Sequence, residues 1–243
     1  MLVSTPGLVL HTTPYSESSV VVKVFTRQFG VKSYIIKGVR GHNSRVKQNM
    51  LQPLSSLDMV VYDSRHNDLN HVKELSPRHP VTQTIDQSSG QAILPSTNQA
   101  ISNSLRFFKT EVLYKALREE EPMPELFDYV ESAACETKDE PIVFLLTVAR
   151  YLGIEPLDNY SQHNLFFDLQ EGRYGAQATE TTLSPALSSL LHEYLQHLPS
   201  FYTHTSPLSD RRSLIDALIA YYQLHLSGFR NFNSHEILHT VLK

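Results

Sequence analysis

The densest group of cations in this sequence lies between residues 37 and 47. Eleven residues there hold two lysines, two arginines and two glycines, namely Lys37, Gly38, Arg40, Gly41, Arg45 and Lys47. Lysine and arginine displace condensed counterions from nucleic-acid phosphates, and glycine lets the backbone approach a ligand closely. The spacing suits a loop that contacts nucleic-acid phosphates. The alternative is a solvated loop with no ligand.

Other residues in the same region could extend such a site. Lys23, Arg27 and Lys32 add positive charge, and Tyr15, Phe29 and Tyr34 could stack on unpaired bases or fill a core. The predicted DNA-binding residues are Lys23, Arg27, Lys32, Lys37, Arg40, Arg45, Lys47, Tyr15 and Tyr34.

A zinc-protease pattern appears near the end of the chain. His235 and His239 are one helical turn apart, and Glu236 stands in the place of the catalytic base. Such a site needs a third protein ligand, normally downstream, and only four residues follow His239. The neighbouring Ile237 and Leu238 fit a final helix that packs on the core. We therefore expect this segment to be structural.

No other pattern indicates catalysis. The sequence lacks a phosphate loop of the Gly-x-x-x-x-Gly-Lys-Ser/Thr type and a Gly-x-Ser-x-Gly elbow. The single cysteine, Cys135, excludes an internal disulfide and a cysteine-rich zinc site within one chain. The prediction is a protein that is not an enzyme and that holds no metal and no cofactor.

Charge is unevenly distributed along the chain. The net charge is −4, yet residues 1–80 hold ten basic and five acidic side chains, which leaves −9 for the remainder. A basic front on an acidic body indicates that the front meets a polyanion.

Five short runs in the first 80 residues have the composition of β-strands. They are rich in Val, Ile, Tyr and Phe and are separated by turn residues; they cover 7–13, 18–26, 31–39, 57–62 and 69–75. Five strands without a helical period between the first three predict a small closed barrel of the OB-fold type. Strand counting alone leaves an SH3-like barrel open.

After Pro77 and Pro80 the apolar residues recur at helical spacing. A polar stretch at about 158–182 interrupts the helices as a loop or hairpin. The predicted fold class is α+β and multidomain, with a five-stranded OB-fold barrel in residues 1–80 and a mostly helical domain in residues 81–243.

Ordered motifs from one end of the chain to the other resemble the RecO family of bacterial recombination mediators. The barrel region has Tyr15-Ser16-Glu17-Ser18, Phe25-Thr26 and Lys37-Gly38-Val39-Arg40, and further matches include Leu51-Gln52-Pro53-Leu54, Pro124-Glu125-Leu126-Phe127, Leu152-Gly153-Ile154-Glu155-Pro156, Phe167-Asp168-Leu169 and Ser234-His235-Glu236-Ile237-Leu238. Many members carry two cysteine pairs around the Phe-Asp hairpin and bind zinc there. This sequence has none, so we expect packing of Leu165, Phe166, Phe167 and Leu169 to hold the hairpin instead.

The resemblance implies a function in DNA repair. A RecO protein binds single- and double-stranded DNA, anneals complementary strands, and acts with RecR to load RecA onto DNA coated by single-stranded DNA-binding protein (SSB). It also implies a helical-domain site for the acidic SSB tail, for which the candidate residues are Arg106, Lys109, Arg211 and Arg212.

Three rival functions stay open from the sequence: a general single-strand binder without annealing activity, a metal-dependent hydrolase that uses the terminal histidines, and a protein-interaction scaffold. The start of the sequence lacks a signal peptide, and no apolar run could span a bilayer, so the expected location is cytoplasmic, without a membrane partner.

Overall fold

The computed structural model describes residues 2–39, 48–62, 69–78, 97–132, 139–198 and 207–241. In chain order the β-strands are β1 (Leu2–Pro14), β2 (Val20–Thr26), β3 (Gly30–Ile36), β4 (Ser56–Tyr62), β5 (Asn70–Pro77), β6 (Phe166–Asp168) and β7 (Arg173–Gly175). The α-helices within the described residues are α1 (Thr97–Ala116), α2 (Pro124–Ser132), α3 (Glu140–Tyr151), α4 (Pro185–His197), α5 (Leu208–His225) and α6 (Ser234–Val241).

These elements form two compact units that are interleaved in sequence. One draws on Met1–Ser96 with Leu117–Ala134, and the other draws on Thr97–Ala116 with Cys135–Lys243. The structure thus groups residues 117–132, which we call the acidic segment, with the barrel. The simple domain boundary expected near residue 80 stays a prediction.

The first five strands close into a barrel in the order β1-β2-β3-β5-β4, which confirms the predicted OB-fold barrel. Four of the five contacts between strands are antiparallel, whereas β3 and β5 run parallel through Tyr34 with Asn70 and Ile35 with His71. Strand β1 starts earlier than the sequence predicted, at Leu2, because its first half pairs with β4 while its second half pairs with β2.

Alternate residues of these strands fill the barrel interior, as the period of two requires. The core contains Val20, Val22 and Val24 from β2 and Met59 and Val61 from β4. Strand β1 carries a β-bulge between Val9 and His11, where its register against β2 shifts. Bulges of this kind bend a strand and help a small sheet to close.

The acidic segment packs on the barrel through apolar residues. Leu126, Phe127 and Val130 of α2 are buried, and the Phe127 ring meets Phe25 of β2 edge to face, with 5.5 Å between ring centroids. The backbone N–H of Glu120 donates to the Val31 carbonyl of β3 at 3.0 Å. These contacts fix a stretch of chain rich in carboxylates along the β2–β3 hairpin.

The second unit is built around α3, whose residues from Glu140 to Ala149 are all buried. Helices α1, α4 and α5 each pack on α3, and α6 packs on α1 and α5. A helix that is buried in this way is apolar on most of its surface, as the run from Pro141 to Ala149 is.

The β6–β7 hairpin is held by hydrogen bonds as well as by packing. Burial alone would raise the pKa of Asp168, but backbone N–H groups of Glu171 and Gln170 and the hydroxyls of Thr181 and Thr179 outweigh it, so the pKa is lowered. Of the four apolar residues expected to hold the hairpin by packing, Phe167 is fully buried and Leu165 is 38% exposed.

Asn159 fixes the other strand of the hairpin. Its side chain accepts a hydrogen bond from the N–H of Tyr174 at 2.8 Å and donates to the Tyr174 carbonyl at 2.9 Å. The Phe167 N–H donates to the Ser188 hydroxyl of α4 at 2.9 Å. A local hydrogen-bond network therefore holds both strands of the hairpin.

Candidate nucleic-acid interface

A groove of about 510 Å³ opens on the barrel where β3 ends beside β5. Lys37 follows β3 directly, and His71 and Lys73 lie on β5, next to Tyr62 at the end of β4. Strand pairing sets this arrangement because His71 is the register partner of both Tyr62 and Ile35. Apolar side chains of Ile36, Val72 and Leu75 complete the walls.

The chemistry of this groove suits a single strand of nucleic acid. Lys37 and Lys73 supply positive charge for phosphates, and the Tyr62 side chain, with the residue 50% exposed, offers a ring on which a base could stack. Lys73 lies 3.6 Å from Glu74, but both side chains are largely exposed, so this ion pair is weak.

The predicted loop lies only partly within the structure. Lys37 is exposed and lines the groove, whereas Arg40, Arg45 and Lys47 lie outside the described residues. The DNA contact of Lys37 and of these three cations stays a prediction.

Three other predicted DNA-binding cations are paired with the acidic segment. Lys23 lies 2.6 Å from Glu119, and Lys32 lies 3.6 Å from Glu120. Lys32 is also almost completely buried, with its ammonium 5.4 Å from the centre of the Phe29 ring. The lysines of the β2–β3 hairpin are therefore already neutralised by carboxylates of the same unit.

Arg27 forms the best-aligned of these ion pairs. Its Nε and Nη2 atoms donate to the two carboxylate oxygens of Asp128 at 2.7 and 2.8 Å. The hydrogen bond from Arg27 lowers the pKa of Asp128, and the same bond raises the pKa of Arg27. This bidentate geometry is the one that arginine also uses on phosphate, so Asp128 occupies the groups that a phosphate would need.

The two predicted aromatic contacts differ in exposure. Tyr15 is 62% exposed in the β1–β2 turn and could stack on a base. Tyr34 is 1% exposed and belongs to the barrel core, so neither face of its ring is open to a base. The core position of Ile36, two residues further along the same strand, is a sequence signal that could have indicated this burial.

The four candidate residues for the SSB tail differ in burial and in contacts. Lys109 is buried beside Glu140, and Arg211 donates to Asp139 at 3.1 Å. Arg212 donates to the His239 carbonyl and is also partly buried. Arg106, on α1, is exposed, and so is the adjacent Phe107. Three of these cations thus serve internal contacts of the helical unit.

The terminal histidines form no metal site within the described residues, where no group of three or more potential ligands comes together. The ring centroids of His235 and His239 are 5.8 Å apart and meet edge to face, while His239 Nε2 lies 3.4 Å from Asp216. His235 stacks on Phe232. Both rings therefore pack within the helical unit.

Sequence reasoning missed Tyr62 and His71 and counted Lys73 only as part of the basic front. The signal available for them was the alternation of β4 and β5, which places Val61 inside the barrel and its neighbour Tyr62 outside. Their convergence with Lys37 depends on the parallel β3–β5 pairing, which sequence spacing does not specify.

Comparison with known proteins agrees with the resemblance seen in the motifs. Residues 1–81 match the family described as "Recombination protein O N terminal". Proteins named DNA repair protein RecO align over nearly the whole chain. The protein from Azobacteroides pseudotrichonymphae is 24% identical, and the protein from Flavobacterium psychrophilum is 26% identical; both alignments cover 99% of each chain. The protein from Phocaeicola vulgatus is 27% identical, and its alignment covers 98% of each chain. The predicted resemblance to the RecO family is confirmed.

Within the described residues, no helix is both long enough and apolar enough to cross a membrane.

Proposed function

We propose that this chain, which resembles RecO proteins from end to end, is a recombination mediator in DNA repair. The proposal in detail is that it binds single- and double-stranded DNA and anneals complementary strands. It would then act with RecR to load RecA onto strands covered by SSB. The roles of RecR and RecA rest on the family resemblance, without an assigned surface.

The observation that carries the proposal is the groove beside β3 and β5. Lys37 and Lys73 place two cations around an exposed Tyr62 at the rim of a closed OB-fold barrel. Cations that follow the phosphate backbone and aromatic rings that stack on bases are the two elements of single-strand recognition. Arg40, Arg45 and Lys47 would extend the positive surface along the strand.

Annealing needs close approach of two polyanions, and a positive surface lowers their mutual repulsion. In this proposal the first strand lies in the groove, while the loop cations reduce repulsion toward the second. No catalytic step is required, in agreement with the predicted absence of enzymatic activity.

The test is a titration of labelled single-stranded DNA with the parent and with a Lys37→Ala/Lys73→Ala variant at several salt concentrations. If each lysine contacts a phosphate, the variant should bind more weakly, and its plot of log affinity against log salt should flatten by up to about 1.4 units. Arg173→Ala is a suitable control because Arg173 is 61% exposed on the hairpin of the helical unit.

Different results would separate the rival functions. A double variant with the parent's affinity and salt slope would remove the groove from the proposal. A parent that binds DNA but does not anneal complementary strands would be a general single-strand binder. A parent that binds no DNA at all would favour a protein-interaction scaffold.

For the SSB tail we propose a reduced site on α1. Arg106 supplies an exposed cation for an acidic peptide, and Phe107, 54% exposed, supplies apolar surface. An Arg106→Glu/Phe107→Ala variant should bind an SSB tail peptide at least tenfold more weakly, by an order-of-magnitude estimate for a lost charge-assisted contact. An unchanged peptide affinity would remove α1 from the site.

A further inference from the structure

A second cavity of the barrel, distinct from the lysine groove, opens beside the 3₁₀ helix Gln48–Leu51. Its volume of about 490 Å³ lies within the range of small-molecule sites. Pro14, Val20, Val39 and Leu51 form apolar walls, and the remaining lining comes from the polar residues Thr12, Gln48, Asn49 and Gln52 together with Pro53.

The lining that the structure describes is apolar and amide-bearing. None of these lining residues is Lys, Arg, Asp or Glu, so the polar contacts that they offer are hydrogen bonds. Asparagine and glutamine amides each offer a donor and an acceptor, which is the pair of groups that the edge of a nucleobase also presents. The apolar walls suit the faces of a flat heterocycle.

The turn that follows the lining residues Gln52 and Pro53 is held in a strained conformation. Leu54 has a positive φ of 56°, which is costly for a residue with a branched side chain. Its N–H donates to the Val9 carbonyl at 2.8 Å, and the N–H of Val9 donates to the Ser55 carbonyl at 3.1 Å. These bonds tie the turn after Gln52 to the bulged part of β1. Strain and bulges that the surroundings hold in place are common at binding sites.

A further bond preserves the shape of the opening. The Thr12 hydroxyl of β1 donates to the Leu51 carbonyl at 3.3 Å, across the cavity's edge. Gln48, Asn49 and Gln52 remain exposed around it. The amides of Asn49 and Gln52 thus flank a backbone carbonyl, that of Leu51, which is held by β1.

The cavity also lies next to the groove. Lys37 lines the groove and Val39 lines the cavity, so the two openings flank residues at most about 7 Å apart along the chain. Tyr15, the exposed aromatic residue, directly follows Pro14 at the cavity's rim. A strand whose phosphates lie on Lys37 could therefore place a base at the amides.

We propose that this cavity is a nucleobase pocket, in which Asn49 and Gln52 hydrogen-bond the edge of one unstacked base of a bound strand. The inference rests on the proposed function, because it assumes that single-stranded DNA occupies the neighbouring groove. It adds a base-reading contact to a site that otherwise recognises phosphates and ring faces.

The test uses an Asn49→Leu/Gln52→Leu variant of the full chain, with Gln28→Leu in the β2–β3 turn as the matched control. The variant should bind single-stranded homopolymers about tenfold more weakly for at least one base, as the loss of a base-edge contact requires. The slope of log affinity against log salt should stay that of the parent, because no charge is removed.

A strand of abasic sites, which keeps its phosphates but lacks bases, gives the decisive comparison. The parent and the variant should bind this strand equally, since neither has a base to read. Thermal unfolding of both proteins checks that the barrel is intact. If the variant does not fold, the parent alone decides: an affinity for the abasic strand equal to that for every homopolymer would overturn the pocket.

Failure of the inference is distinguishable from failure of the proposed function. A parent that binds no single-stranded DNA overturns the proposed function. A parent that binds DNA, beside a folded variant that matches it on every homopolymer, overturns only the pocket. The pocket is also overturned if the variant binds the abasic strand more weakly than the parent does, because its amides would then support the barrel fold instead of a base. It is likewise overturned if the variant's salt slope is flatter, because the amides would then contribute to phosphate contacts.

Discussion

Single residues of this protein show how burial decides what a side chain can do. His239 in α6 is partly buried between Asp216, His235 and Arg212. Burial lowers its pKa first of all; the charges of His235 and Arg212 act in the same direction, and Asp216 opposes them. The native protein therefore favours the neutral imidazole at this position, which suits packing of α6 more than binding of a ligand.

This lowered pKa has a predictable consequence for stability. In the unfolded chain His239 takes up a proton near its ordinary value of 6.5, while the folded state resists protonation until lower pH. The free energy of unfolding should therefore decrease as the pH falls from 6.5, the pKa in the unfolded chain, to the lower pKa in the folded protein. Urea unfolding at pH values on either side of 6.5 measures this loss.

The comparison should include two substitutions. His239→Gln should reduce the pH dependence, whereas His163→Gln, in an exposed loop, should leave it as in the parent. If His239→Gln and the parent lose the same free energy of unfolding on acidification, the protonation of His239 does not contribute to the pH dependence of stability.

At the scale of elements, the acidic segment determines which barrel cations remain available. Its seven charged side chains comprise six acids and Arg118, and its carboxylates reach Lys23, Arg27, Lys32 and Arg78. Gly30 permits its close approach, because a Cβ at this position would come within 2.3 Å of the Glu121 carbonyl oxygen and the backbone has a φ of 66°. The positive front predicted from the first 80 residues is thereby neutralised over the β2–β3 hairpin.

Removing charge from this segment should strengthen DNA binding. We expect Glu119→Gln/Glu120→Gln to raise the affinity for single-stranded DNA at low salt, because the carboxylates of Glu119 and Glu120 lie beside Lys23 and Lys32 and repel phosphates. The salt slope should steepen by up to about 0.7 unit if Lys23 then contacts a phosphate, whereas the almost completely buried Lys32 should not reach one.

Glu171→Gln provides the matched control, since Glu171 is 58% exposed on the hairpin of the helical unit. A double variant whose affinity and slope equal those of Glu171→Gln would mean that the carboxylates of Glu119 and Glu120 do not limit DNA binding by the hairpin lysines.

For the whole molecule, the interleaving of the two units means that the barrel depends on residues a hundred positions away. Phe25 of β2 meets Phe127 of α2, and both rings are fully buried. The segment that completes the barrel unit follows α1, a helix of the other unit. Removal of the chain beyond residue 80 would therefore expose an apolar face of the barrel.

Phe127→Ala tests this dependence in the full chain. Loss of a fully buried phenylalanine creates a cavity and should cost about 3–5 kcal/mol of unfolding free energy. Phe107→Ala, which truncates a ring that is 54% exposed, should change it by less than about 0.5 kcal/mol. Equal urea midpoints for the two variants would contradict a stabilising role of α2.

The sequence by itself determined the elements, the barrel and the family resemblance. Strands β2 and β4 alternate in side-chain direction and α1 repeats at helical spacing, and both periods follow from local backbone geometry. Ordered motifs also indicated a resemblance to the RecO family, and the comparisons confirm that resemblance.

Only the tertiary structure decided which charged and aromatic residues are available for binding. Lys23 and Lys37 are both lysines of the basic front, yet Lys23 faces Glu119 while Lys37 lines an open groove. Likewise, the parallel pairing of β3 with β5 brings His71 and Lys73 beside Lys37. Ion pairs and strand pairing join residues that are far apart in sequence. Composition and local spacing therefore do not predict which of these residues meet.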